Sequence, residues 1–154
     1  MNRERMTTAK RRILFVDDEP RILACLLWSI DCDRWEMVFA LSGQGALNEL
    51  GRQRFDVVVT DMRMPEVDGA TVLHAVADRS PETLRILLTG HADDEVLARV
   101  RPVVHQLLEK PCSASALRAA IEARVEDIAR TTSPISATEI RDARRDMLGP
   151  YRRH

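Results

Sequence analysis

The amino-acid sequence predicts an α/β fold: a doubly wound parallel sheet of five strands flanked by five helices, with one short helix added at the C-terminus. Three observations carry that prediction. Five short apolar runs recur along the chain, the segments between them carry apolar residues at helical spacing, and the two kinds of segment alternate five times.

The first run, Ile13-Leu14-Phe15-Val16, has no polar interruption, as expected of a parallel strand covered on both faces. A helix follows from Glu19-Pro20, with Pro20 suited to the first helical position and Ile22, Leu23, Leu26, Leu27 and Ile30 forming one stripe. The second run is Met37-Val38-Phe39-Ala40-Leu41, and its helix goes from Ser42 through Leu47 and Leu50 to a stop near Gly51. The third run, Val57-Val58-Val59, precedes a helix capped by Asp68 that carries Val72, Leu73 and Val76. The fourth, Leu84-Arg85-Ile86-Leu87-Leu88, precedes a helix with Asp93, Asp94 and Glu95 in its first turn, where the helix dipole favours acids, and then Val96, Leu97 and Val100. The fifth strand is expected over Val103-Val104 and Leu107-Leu108. Its helix starts at Ser113 and carries Leu117, Ala120, Ile121, Val125 and Ile128. Beyond Arg130, Thr131-Thr132-Ser133-Pro134 reads as a linker. Ser136-x-x-Glu139 fits a capping box, Ile140, Ala143, Met147 and Leu148 follow at helical spacing, and Gly149-Pro150 ends the segment. The expected division is a disordered N-terminal segment over 1–10, the α/β domain over 11–130, and a linker with a short helix over 131–154.

Bulk properties narrow the class. A chain of 154 residues, 45% apolar and 31% charged, suits one soluble domain with an appendage. A net charge of −1 argues against strong non-specific attraction to nucleic acid or anionic membrane. Met1–Arg12 is basic and polar with no apolar stretch behind it, so no signal peptide is read. No apolar run has the length to cross a bilayer. Cys25, Cys32 and Cys112 are odd in number and lack CxxC spacing, which points to a reducing cytoplasm and to small, partly buried hydrophobes.

The chemistry lies at the ends of the apolar runs. Asp17 and Asp18 end the first, Asp61 the third, Thr89 the fourth and Lys110 the fifth. Open parallel sheets bind ligands outside the carboxyl ends of their strands, so these five residues are expected to converge. Carboxylates crowded together repel. At about 4 Å and an effective dielectric of about 20, one like-charged pair costs roughly 4 kcal/mol. Such a cluster must protonate or accept a cation. Hard oxygen ligands suit Mg²⁺, which keeps several waters and bridges carboxylate and phosphate oxygens. Lys110 is then free to pair with one phosphoryl oxygen and the Thr89 hydroxyl to hydrogen-bond another, an arrangement suited to phosphoryl transfer onto a carboxylate.

Over residues 11 to 130 the sequence resembles the receiver domain of two-component response regulators. The resemblance rests on Val16-Asp17-Asp18-Glu19-Pro20, on Asp61-Met62-Arg63-Met64-Pro65 with Asp68-Gly69, on Thr89-Gly90, and on Lys110-Pro111. It implies a flavodoxin-like sheet of order 2-1-3-4-5 and a signalling switch rather than an enzyme. Asp61 would be the phospho-acceptor. Mg²⁺ would be held by Asp18, Asp61 and the backbone carbonyl of Arg63, with Asp17 acting largely through a bound water, and Thr89 and Lys110 would hold the phosphoryl oxygens. The implied donor is a phosphohistidine on a sensor histidine kinase or a phosphotransfer protein. The implied output is a change on the face formed by the fourth helix, fifth strand and fifth helix, felt by a partner or a second copy. One position departs from the pattern: receivers carry Tyr or Phe three residues before the lysine, and this chain has Leu107. Arg63 and His91, two residues beyond Asp61 and Thr89, occupy positions that set acyl-phosphate lifetime in the family.

Each fragment alone has an ordinary structural explanation. Asp17-Asp18 before a proline starts helices, Asp68-Gly69 forms turns, and Thr89-Gly90 and Lys110-Pro111 end strands. Those explanations must all hold at successive strand ends, which the joint pattern disfavours. His74 and His105 have no neighbour at metal spacing and are read as solvated or helix-surface residues, and Trp28 and Trp35 as packing around the end of the first helix. A haloacid-dehalogenase-like phosphatase also uses a strand-end Asp, but needs a second Asp two residues later, where this chain has Arg63. A pseudo-receiver would lack an acid or the lysine, and none is missing. The basic residues near the C-terminus, offset by Glu139, Asp142 and Asp146, read as a solvated face. The stretch after Arg130 is too short for a three-helix DNA-binding domain, so direct DNA contact is not expected.

Overall fold

Residues of alternating parity along each strand face opposite sides of a sheet, and here both parities are apolar, so both faces must be covered. A computed structural model describes residues 10–29 and 34–128. The strands are β1 (Arg11–Val16), β2 (Trp35–Ala40), β3 (Val57–Asp61), β4 (Leu84–Thr89) and β5 (Gln106–Glu109). The helices are α1 (Pro20–Ser29), α2 (Gly43–Arg52), α3 (Gly69–Arg79), α4 (Asp94–Val100) and α5 (Ala114–Ile128). All strand pairings are parallel and the order is β2-β1-β3-β4-β5, as expected. The expectations for the N-terminal segment before Lys10, for Ile30 and Cys32, and for the linker and helix beyond residue 128 concern residues outside those described.

One face packs Ile13, Phe15, Val57, Val59, Leu84 and Ile86 against Leu23 of α1 and Leu117 and Ile121 of α5. The other packs Leu14, Val16 and Val58 against Ala46 of α2 and Val72 and Val76 of α3. It continues with Leu87 and Leu107 against Leu73 of α3 and Val96, Leu97 and Val100 of α4. Each of the larger of these side chains contributes about 1.5–3 kcal/mol on burial. Side-chain N-caps fix the helix starts: the Ser42 hydroxyl accepts the Gly45 amide, and the Asp68 and Asp93 carboxylates accept the Thr71 and Val96 amides.

The structure corrects several sequence expectations. Val103 and Val104 are not part of β5; both donate their amides to the Val100 carbonyl, closing the end of α4, and only Gln106–Glu109 forms strand. Leu41 lies beyond β2 and is exposed rather than buried. Trp35 is the first residue of β2, buried in the α1/α5 core. Cys25 is exposed. His105 is buried rather than solvated: its Nδ1 accepts the backbone N–H of Arg85 at 3.0 Å, because Arg85 itself is buried within β4.

Candidate functional site

The parallel register brings the carboxyl ends of β1, β3, β4 and β5 to one rim. Val16 pairs with Thr60, Asp61 with Leu88, and Thr89 with Glu109, so the residues after each apolar run become neighbours. The Asp17 amide donates to the Ala40 carbonyl at 3.1 Å, which ties the end of β1 to β2. Its buried carboxylate accepts the Glu19 amide at 2.9 Å through Oδ1 and the Lys110 ammonium at 2.9 Å through Oδ2. The same ammonium stands 3.3 Å from Asp61 Oδ2. Asp17, Asp18 and Asp61 each offer a carboxylate oxygen within 4.8 Å of the others, one buried, one exposed and one between.

Electrostatics at this rim are strained. Burial pushes the Asp61 carboxyl above its ordinary value; Lys110 pulls it down and Asp17 pushes it up again, with a net rise. Burial works against the charge on Lys110, but hydrogen bonds and attraction from Asp17 and Asp61 raise its ammonium above the usual lysine value. The residue set is three hard, closely spaced oxygen donors with an exposed flank for water. It fits a hydrated divalent cation of the Mg²⁺ type and offers nothing to a soft metal.

The connection from β3 to α3 is held by close backbone approaches. A Cβ on Gly69 would lie 2.1 Å from the Asp61 carbonyl oxygen, so only glycine fits, and the Gly69 amide donates to the Met62 carbonyl at 2.9 Å. Glu66 sits at φ 68°, in a three-residue turn closed by the Val67 amide on the Pro65 carbonyl at 2.8 Å. Arg63 lies on this loop two residues past Asp61, its side chain exposed, as is His91 across the rim.

Thr89 is buried at the end of β4, but its hydroxyl is turned on its own loop. It donates to the His91 carbonyl at 3.0 Å and accepts the His91 amide at 3.3 Å. The structure thus gathers Asp17, Asp18, Asp61 and Lys110, while the Thr89 hydroxyl engages the loop leading to α4. Leu107 is buried in the α3/α4 core.

One feature of the neighbourhood was not anticipated from sequence. Arg99 of α4 donates to both oxygens of Asp68, at 2.6 and 3.1 Å, and His74 Nε2 lies 2.8 Å from the Arg99 carbonyl. Burial disfavours ionisation of Asp68, yet the hydrogen bonds from Arg99 and Thr71 hold its carboxyl below the ordinary value. The only sequence signal was an arginine in the last turn of a short helix. Between this pair and the β3–α3 loop lies a cleft of about 520 Å³, lined by Met62, Arg63, Met64, Pro65, Asp93, Glu95 and Val96.

Comparison with known proteins agrees with this geometry. Residues 13–122 match the family model described as response regulator receiver domain. The chain is 31% identical over 128 residues to Transcriptional regulatory protein GlrR of Escherichia coli (strain K12), covering 82% of this chain and 29% of that protein. It is similar at 28% identity and TM-score 0.74 to the signal receiver domain of an HD domain-containing protein from Pseudomonas fluorescens Pf-5, covering 80% of this chain and all of that one. A CheY-like receiver domain protein from Methanospirillum hungatei JF-1, at 21% identity and TM-score 0.75 over 79% of this chain and 98% of that one, shares the fold. The chain spans less than a third of the length of the curated relatives it matches first.

Proposed function

The chain belongs to the response regulator receiver domain family, and on that premise we propose that it is a Mg²⁺-dependent phospho-acceptor switch in which Asp61 takes the phosphoryl group. The observation that carries this reading is the Lys110 ammonium lying 2.9 Å from Asp17 and 3.3 Å from Asp61 within a cluster of three acids. An Asp61 carboxylate oxygen attacks phosphorus in line with the leaving nitrogen of a phosphohistidine. The O–P bond forms, the P–N bond breaks, and its electron pair returns to the imidazole of a sensor histidine kinase or a phosphotransfer protein. Lys110 is already oriented to follow a phosphoryl oxygen, and Thr89 supplies a second contact once its hydroxyl turns from His91.

Asp17, Asp18, Asp61 and the backbone carbonyl of Arg63 would hold Mg²⁺. When bound, the ion offsets the repulsion between the acids and the incoming phosphoryl charge. The strand–helix domain acts as the switch. The output is the α4–β5–α5 face, read by a partner or a second copy in the cytoplasm. The domain assists its own phosphorylation and dephosphorylation but turns over no separate substrate.

Incubating the protein with acetyl phosphate and Mg²⁺ and measuring intact mass tests this reading. One phosphoryl group is expected on the wild type, and none on Asp61→Asn or on the wild type without Mg²⁺. Equal labelling of Asp61→Asn would overturn it.

A further inference from the structure

The last turn of α4 is tied to the acceptor loop by a contact that phosphoryl transfer does not use. The Arg99 guanidinium forks onto both oxygens of Asp68, at 2.6 and 3.1 Å, and the Arg99 carbonyl faces His74 of α3 at 2.8 Å. Asp68 is itself fixed, since its carboxylate caps α3 and the next residue, Gly69, packs against the Asp61 carbonyl. At its other end α4 is reached from Thr89, whose hydroxyl donates to the His91 carbonyl at 3.0 Å. A hydroxyl has one proton to donate, so Thr89 must leave His91 to donate to a phosphoryl oxygen on Asp61. The loop before α4 then loses that anchor, and the Arg99 contact remains at the far end.

We propose that the Arg99–Asp68 fork is a latch holding α4 in its unphosphorylated position, so that it sets how readily the domain switches. This rests on the reading of Asp61 as phospho-acceptor. Two parallel N–H···O bonds depend on position: a helix shift of about 1–2 Å, ordinary for a regulatory transition, breaks both together. The latch therefore selects the unshifted helix, and whatever favours the shifted one works against it. Room for the shift exists in the cleft between Met64 and Val96. Leu107 is buried in one cluster with Leu87, Leu97 and Val104, so the apolar face of α4 packs beside the end of β5. By linkage, loosening the latch must strengthen binding of a phosphoryl mimic by the factor through which it raises the switched population.

Arg99→Ala and Arg99→Lys, which keeps the charge without the fork, test this in two ways. The Arg99 side chain is 44% exposed, and exposed ion pairs are modest, so both variants are expected to fold. Calorimetric titration with beryllofluoride in Mg²⁺ should show Arg99→Ala binding about two- to fivefold tighter than wild type, with Arg99→Lys between them. In metal-free protein, amide hydrogen exchange over Asp94–Val100 should quicken in both variants. Unchanged or weaker beryllofluoride binding in Arg99→Ala would overturn the latch while leaving the acceptor reading intact, even if exchange quickens. Failure of the wild type itself to bind beryllofluoride would overturn the acceptor reading, and the latch with it.

Discussion

At the carboxyl end of the sheet three carboxylates cluster and Lys110 reaches two of them, whereas near the amino end of β4 a single guanidinium, Arg85, lies buried among carbonyl oxygens. Arg85 donates to Val103, Pro81 and Thr83 carbonyls, and its amide donates to His105. Burial lowers the Arg85 value below that of a free guanidinium, with Glu82 opposing, but its donors are answered by backbone that would otherwise need partners of its own. Asp61 has no such settlement. It is pressed by burial and by Asp17, and Lys110 compensates only in part. Both regions bury charge in the same sheet, Arg85 on β4 and Asp61 at the end of β3. One is satisfied by fixed neutral dipoles and holds the fold, while the other keeps an excess of one sign that a cation and a phosphoryl group can use.

Exchanging the roles of the two regions is the way to break that contrast. The largest effect is expected from Arg85→Met, which leaves the carbonyls of Pro81, Thr83 and Val103 without their donor. It should cost about 3 kcal/mol, read as a fall in Tm of roughly 10 °C or more, while labelling by acetyl phosphate persists below the new midpoint. If Arg85→Met melts with the wild type, the amino-end network is not holding the fold.

Asp61→Asn is expected to act in the opposite sense, abolishing labelling but raising stability of the metal-free protein at pH 7 by roughly 1 kcal/mol. The sign follows from the raised carboxyl. A group whose folded value exceeds its unfolded one, here 3.8, favours folding below 3.8 and loses that contribution as pH rises through the folded value. At neutral pH ionised Asp61 therefore works against the fold, and the advantage of Asn should shrink as pH falls toward 3.8. Thermal melts of both proteins from pH 4 to pH 7 check this. An Asn variant less stable than wild type at pH 7 would show that Lys110 outweighs burial at Asp61.

The contrast also explains what could be read from the sequence. Asp17, Asp61 and Lys110 each follow an apolar run, and a parallel sheet sends every run to the same rim, so their convergence at one edge follows from the parallel strand direction. The amino-end network was harder to see. Arg85 interrupts an apolar run, which is a signal, but its partners Pro81, Thr83 and Val103 offer only backbone carbonyls, and every sequence has those. His105 becomes buried because Arg85 is there to meet it. Val103-Val104 reads as strand by composition, but their amides are taken by Val100 at the end of α4. The Arg99–Asp68 fork joins two helices by geometry that no local spacing encodes, and the rotation of the Thr89 hydroxyl toward His91 is likewise set by the loop it sits on.

The most direct measurement of the central claim is borohydride trapping after acetyl phosphate treatment in Mg²⁺, followed by peptide mass mapping. Borohydride reduces an aspartyl phosphate to homoserine. That conversion is expected at residue 61 alone, with Asp17 and Asp18 unaltered. Homoserine at residue 17 or 18, or a stable phosphate on a hydroxyl side chain instead, would contradict it.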